Sequence, residues 1–109
     1  MSEPRAEQEA VLRRIKYQAA AEQIRITPHA HEEMVEEGIS IADLLQAIQR
    51  AKILEDYPEH RRGACCLLGG TTEAGRAMHI VCTTAQPVLI VITVYEPKPP
   101  KWVTPTQRG

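Results

Sequence analysis

The sequence has few aromatic side chains: they make up 4% of its 109 residues and include no phenylalanine. A hydrophobic core must therefore be built from isoleucine, leucine, valine, methionine and alanine. Long apolar runs are missing as well, since the longest, residues 88–94, is far too short to span a bilayer. The length suits one domain with a single core. The sequence therefore predicts a small globular domain that does not contact a membrane.

An excess of positive charge is also absent, because 13 lysines and arginines stand against 14 aspartates and glutamates. Proteins that bind nucleic acids without sequence preference gain most of their affinity from clustered basic residues on phosphates. The overall balance therefore argues against an avid binder of this kind. The charge is uneven, however. Residues 1–56 hold seven basic and eleven acidic residues, a balance of −4, and residues 57–109 hold six and three, a balance of +3.

Cysteine is scarce, and the three that occur have no spacing typical of a disulfide framework. Cys65 and Cys66 are adjacent, and Cys82 leaves an odd number. All three lie among apolar residues in strand-like patterns, where free cysteine usually behaves as a small buried apolar side chain. Together with first residues that do not resemble a signal peptide, this pattern predicts a reduced, cytoplasmic protein.

The first half of the chain reads as three helices and one short strand. The stretch "SEPRAEQEAVLRRIKYQAAAEQ" has high helix propensity but only a thin apolar stripe, and "QIRIT" after it alternates like a strand. Thr27 and Pro28 predict the start of a second helix, which Gly38 ends. Ser40 and Asp43 then have the spacing of a capping box. The third helix carries an apolar stripe at the spacing of a buried face, formed by Ile41, Leu44, Leu45 and Ile48.

The second half reads as strands separated by polar turns. "KILEDY", "ACCLLGG" and the hairpin "GRAMHIVCTTAQPVLIVITVYEP" predict about four strands. The expected class is α+β: an N-terminal helix, a short strand, an αα-hairpin, and then an antiparallel sheet of about four strands with the helices on one face. We expect residues 1–22 to form the N-terminal helix, 23–103 a single domain and 104–109 a tail.

The hairpin separates into two faces, because side chains alternate along a strand. The even positions from Met78 to Val94 are apolar and are expected to face the helices. On the other face, the obvious register puts a half-exposed His79 roughly opposite Thr93, with Tyr95 one step along and Arg76 at the rim. His79 is then either a sheet residue whose hydrogen bonds are satisfied by neighbours, or the acid/base of a shallow site with Arg76 as its anion clamp.

The order and spacing of several short segments resemble a bacterial family of domains of unknown function, number 4258. The segments are "HAHEEM", "DLLQAI", "ILEDYPE", "GRAMHIV" and "VITVYEP", within residues 24–102. That family is similar to the RelE/ParE/BrnT toxin superfamily, in which helices cover one face of a curved antiparallel sheet. The resemblance implies a RelE-like fold and, as a possible activity, the ribonuclease of a toxin–antitoxin pair. The polar positions that match are His29, Arg76, His79 and Tyr95.

Metal-independent cleavage of RNA needs an acid, a base and a cation beside the phosphate. His79 or Tyr95 could serve as acid or base, and Arg76, Arg61 or Arg62 as the cation. His29 is expected to take part in substrate binding from the second helix, with a hydrogen bond toward the sheet. Two residues apart on a helix, His29 and His31 point to nearly opposite sides, so no metal is predicted there. No cofactor is expected either.

Two functions from different classes follow. One is a toxin-like endoribonuclease that acts on RNA and is covered by a small antitoxin-like protein. The other is a non-catalytic protein-binding module that uses the same sheet face, or the N-terminal helix, for a partner or for an oligomer. The cluster of Arg76, His79 and Tyr95 favours the first, and the acidic first half favours the second.

Overall fold

The computed structural model describes residues 4–61, 63–98, 102–104 and 107–108, and its class is α+β, as predicted. Its helices are α1 (Pro4–Ala20), α2 (Pro28–Glu37) and α3 (Ile41–Gln49). The strands are β1 (Ile24–Ile26), β2 (Lys52–Tyr57), β3 (Cys65–Thr71), β4 (Ala77–Thr83), β5 (Leu89–Tyr95), β6 (Trp102–Thr104) and β7 (Gln107–Arg108). Within the described residues, no helix combines the length and the apolar character that crossing a membrane requires.

The main sheet has five strands in the order β1-β5-β4-β3-β2, and β6 and β7 form a separate two-stranded sheet. Strands β2 to β5 are antiparallel neighbours, but β1 runs parallel to β5, with Ile24 opposite Leu89. The expectation of about four antiparallel strands is therefore corrected to a mixed five-stranded sheet. The helices and strands between β1 and β5 give the chain the long connection that a parallel pair needs.

The predicted start and end signals of α2 and the predicted start signal of α3 are confirmed. Thr27 Oγ1 accepts a hydrogen bond from the Ala30 N–H at 3.1 Å, and Gly38 follows α2 in the left-handed conformation at φ 65°. Ser40 and Asp43 form the reciprocal capping box, with both side-chain to backbone distances at 3.0 Å. These caps fix the αα-hairpin through interactions within a few residues.

One hydrophobic core joins the three helices to a single face of the sheet. Its members include Ile15 from α1, Met34 from α2, and Leu44 and Ile48 from α3. Ile41, the first residue of the predicted stripe, is 58% exposed, so only the later turns of α3 reach the core. There the backbones of α3 and β3 are in close contact at Gly70. A Cβ added at Gly70 would lie 2.1 Å from the Ala47 carbonyl oxygen.

A β-bulge in β5 overturns the predicted assignment of its two faces. Cys82 lies opposite Val91, whereas Val81 lies opposite Thr93, so Ile92 is an extra residue in this strand. The alternation therefore changes at this point. The core takes Leu89, Val91 and Val94 from β5, not the continuous even series that includes Ile90 and Ile92.

Helix α1 is tied to the rest of the chain by polar side chains as well as by Ile15. The Arg14 guanidinium donates to the carbonyl of Gln86 at 2.7 Å, and Gln18 Nε2 donates to the same oxygen at 2.9 Å. Gln49 Nε2, from the end of α3, donates to the Lys16 carbonyl at 2.7 Å. These bonds hold α1 against the turn between β4 and β5 and against α3.

Candidate functional site

His79 and Tyr95 meet on the sheet face that is turned away from the helices. They are direct cross-strand partners, whereas the sequence predicted Thr93 at this place. The pairing of Cys82 with Val91 shifts the register by one residue from the prediction, and the bulge at Ile92 shifts it by one more. His79 Nδ1 lies 3.2 Å from the Tyr95 hydroxyl oxygen, and the two rings meet edge to face with centroids 5.3 Å apart. The structure thus brings together two of the three residues proposed for catalysis.

The His79 ring is 0% exposed, so the expectation of a half-exposed histidine is wrong. On β3, His79 lies opposite Gly69, which has no side chain and so leaves space beside the imidazole. Leu54 from β2 fills that space, because a Cβ added at Gly69 would lie 2.6 Å from Leu54 Cδ1. Tyr95 is only half-buried, so solvent reaches this residue but not the imidazole beside it.

The third proposed catalytic residue, Arg76, closes the C-terminal end of α2. Its guanidinium donates to the backbone carbonyl of Gly38 at 3.0 Å and to that of Glu37, and it lies 3.6 Å from the Glu96 carboxylate. Carbonyls at a helix C-terminus carry partial negative charge and attract a cation. The predicted anion clamp is thus already engaged by two carbonyls and a carboxylate.

Two glutamates of α2 bind the part of β5 that extends beyond β1. The backbone N–H of Val94 donates to Glu33 Oε1 at 3.0 Å, and that of Glu96 donates to the Glu37 carboxylate at 3.3 Å. These carboxylates occupy the acceptor positions that a further strand would supply. Sequence reasoning missed this role, although two glutamates four residues apart on a helix do project from one side of it.

His29 does not bond directly to the sheet, contrary to the prediction. Its side chain is 65% exposed, and its Nε2 lies 3.3 Å from Glu33 Oε1, one turn along α2. The contact with the sheet is therefore indirect, through the same carboxylate that binds Val94. Across the described ranges, no three His, Cys, Asp or Glu side chains are grouped so that they could hold a metal ion.

The loop between β2 and β3 lies at the opposite end of the sheet from Arg76. Arg61, in this loop, is exposed, and Arg62 lies outside the described residues. The loop leads into Cys65, the first residue of β3. Arg76 lies near the other end of β3, because it comes directly before Ala77, which pairs with Thr71. Six residues of strand separate the two ends by roughly 20 Å. The fold therefore places Arg61 away from His79.

The three cysteines are free and buried, as predicted. Cys66 and Cys82 lie opposite each other on β3 and β4. A hydrogen bond to Cys66 and burial raise the pKa of the Cys82 thiol well above its ordinary value, and burial raises the pKa of Cys65. A nucleophilic cysteine needs a lowered pKa and access, and these two have neither.

A groove between α1 and β2 was not predicted. It consists of two adjoining hollows of about 210 and 170 Å³, which share Gln8 and Ile53. We call it the α1–β2 groove, and its lining is completed by Glu7, Glu9, Val11, Leu12, Lys52, Asp56, Pro58, Ala64 and Thr84. No sequence motif marks such a groove, since it arises only when a distant helix is placed beside the strand.

The fold and these contacts define a small α+β domain with a mixed sheet, in which carboxylates of helix α2 bind the amides at the end of β5. Residues 26–96, well over half of the chain, match the family described as Domain of unknown function (DUF4258), so the chain belongs to this family. No curated protein and no solved structure matches it. The further likeness to the RelE/ParE/BrnT toxins stays a prediction.

Proposed function

We propose that this chain is a non-catalytic protein-binding module. The observation that supports this most is the complete burial of His79. A general acid or base must come within hydrogen-bond reach of the atom it protonates or deprotonates, about 2.6–3.2 Å. With no exposed surface, the His79 ring reaches an RNA oxygen only if the sheet around it opens.

The contacts of Arg76 support the same proposal. To bind a phosphate with its full charge, the guanidinium would have to release the carbonyls of Glu37 and Gly38 and the carboxylate of Glu96. Each of these hydrogen bonds to a charged group contributes on the order of 1.5–3 kcal/mol where it is shielded from water. In this account, Arg76 stabilises the junction of helix α2 and the sheet, His79 packs on the other face of the sheet, and recognition occurs elsewhere on the surface.

A second candidate function is the toxin-like endoribonuclease, which the His79–Tyr95 contact favours. The half-buried Tyr95 hydroxyl would be the group that touches RNA, and the imidazole 3.2 Å away would position it. Arg76 would have to supply the cation. An antitoxin-like partner would then cover this face of the sheet.

Inducible expression in a bacterial host separates the two candidates, with growth and total RNA integrity followed over time. For the binding module we expect normal growth and intact RNA. Growth arrest with RNA breakdown that Tyr95→Phe abolishes, in a variant that is still folded at the growth temperature, would overturn the proposal in favour of the ribonuclease. Glu36→Ala serves as a control variant, because its side chain is exposed on α2 and is not among the candidate catalytic residues.

A further inference from the structure

Taking the protein-binding function as its basis, we propose that the α1–β2 groove binds an extended, basic segment of a different protein. The segment would place two apolar side chains in the two hollows and would lie beside strand β2. The hollows measure about 210 and 170 Å³, and each alone is smaller than the roughly 300–1,000 Å³ of typical small-molecule sites, a range that only the two together reach. Their size therefore suits single side chains better than a cofactor or metabolite.

The hollows offer apolar contact area to such anchors. Val11 and Leu12 from α1 and Ile53 from β2 line them and are half-buried, so each keeps apolar surface that a partner could cover. Burying apolar surface stabilises a complex by about 25 cal/mol per Å² before the costs of association are subtracted. Anchoring side chains of the partner would supply most of the affinity.

Strand β2 is the last strand of the sheet, so it has one edge without a strand neighbour in the described part of the chain. Such an edge can pair with an extended segment from another chain. At the opposite side of the sheet, by contrast, α2 covers β5 with its carboxylates. The bulge between Ile53 and Glu55 shortens the stretch of β2 that can pair, so backbone pairing adds to the two anchors and does not replace them.

Charge determines the kind of segment that we expect. The groove is lined by three carboxylates, from Glu7, Glu9 and Asp56, and by one ammonium group, from Lys52. Glu9 and Asp56 line the groove and are exposed, so their carboxylates favour lysine or arginine beside the apolar anchors. The same carboxylates repel the phosphates of RNA. The groove also includes α1, which lies outside the family match that begins at residue 26.

A titration of the isotopically labelled full chain, followed by amide NMR, tests the proposal. The probes are short peptides with two apolar residues, leucine, isoleucine, valine or methionine, flanked by lysines. We expect saturable shifts confined to α1, β2 and the loop after β2. Glu9→Lys combined with Asp56→Lys should weaken binding by on the order of tenfold, as expected for reversed charges at an interface. Glu36→Lys, an equally exposed change on α2, should leave the affinity unchanged.

Three results would overturn the proposal. The first is the absence of shifts in the groove with any of these peptides, and the second is equal binding of the same peptides with glutamate in place of lysine. The third is a wild-type homodimer, detected by sedimentation, whose interface covers the groove. The last would make a second copy of this chain the occupant. These failures are distinct from a failure of the proposed function, which appears as Tyr95-dependent RNA breakdown and does not depend on the peptides.

Discussion

The Glu33 carboxylate accepts a hydrogen bond from the backbone N–H of Val94, 3.0 Å away, and so takes the place of a strand that β5 lacks at this end. Glu37 does the same for Glu96, one helical turn further along α2. An unpaired strand edge is a site where other chains can add on. Helix α2 therefore both packs on the sheet and closes its edge.

Replacing both glutamates by alanine should release these two amides. With Glu33→Ala and Glu37→Ala combined, we expect amide hydrogen exchange at Val94 and Glu96 to become on the order of tenfold faster, since each amide loses a bond to a charged acceptor. Glu36→Ala on the same helix is the control. Equal exchange rates at both amides in wild type and double variant would contradict this role.

We expect the His79 side chain to contribute far more to the free energy of unfolding than the Tyr95 hydroxyl does. His79→Ala leaves a cavity beside Gly69 and is expected to lower the free energy of unfolding by about 2–3 kcal/mol. Tyr95→Phe removes only one hydroxyl, which is worth about 1 kcal/mol. Urea unfolding measures both. If His79→Ala changes stability by less than about 0.5 kcal/mol, the imidazole is not part of the core of the fold.

Arg76 should likewise act on stability. Arg76→Ala removes the donors from the C-terminus of α2, and we expect a loss of about 1–2 kcal/mol, because the side chain is partly shielded from solvent. Arg76→Lys should recover only part of this, since an ammonium group does not present the forked donors of a guanidinium. Arg61→Ala, in an exposed loop, should stay within about 0.5 kcal/mol. Thermal unfolding that shows equal effects of Arg76→Ala and Arg61→Ala would refute the capping role.

The buried thiols should make the stability of the folded chain depend on pH in the alkaline range. The pKa of Cys82 is raised in the folded state above its ordinary value of 9.0, so the folded chain keeps a proton that the unfolded chain loses. Stability is then fully present below that value and falls as the pH rises above it. We expect the urea midpoint to fall between pH 8 and pH 10, and to fall less in Cys82→Ala. Parallel pH curves for wild type and variant would show that Cys82 does not cause the change.

The αα-hairpin could be predicted from the sequence, because Thr27, Gly38 and the pair Ser40 and Asp43 act within their own helix ends. The parallel pairing of β1 could not, since three residues carry no signal for the direction of their partner. The bulge at Ile92 has no local signature either, and it accounts for one of the two residues by which the partner of His79 differs from the expected one.

The candidate site was predicted in its residues but not in its geometry. The sequence drew attention to Arg76, His79 and Tyr95 because they are polar in an otherwise apolar hairpin. Whether such residues are exposed depends on contacts between distant parts of the chain: Leu54 over Gly69, and the carbonyl groups of residues 37 and 38 beside Arg76. The same holds for the α1–β2 groove, whose walls are about forty residues apart in the chain.

The measurement that tests the central claim most directly is the addition of a short RNA to the labelled full chain, with the side-chain signals of His79, Tyr95 and Arg76 followed by NMR. If these residues stabilise the fold and do not bind RNA, none of the three signals shifts at any RNA concentration, while the protein remains folded. Saturable shifts at all three, with those of His79 and Arg76 lost in Tyr95→Phe, would contradict the account and assign this face of the sheet to RNA.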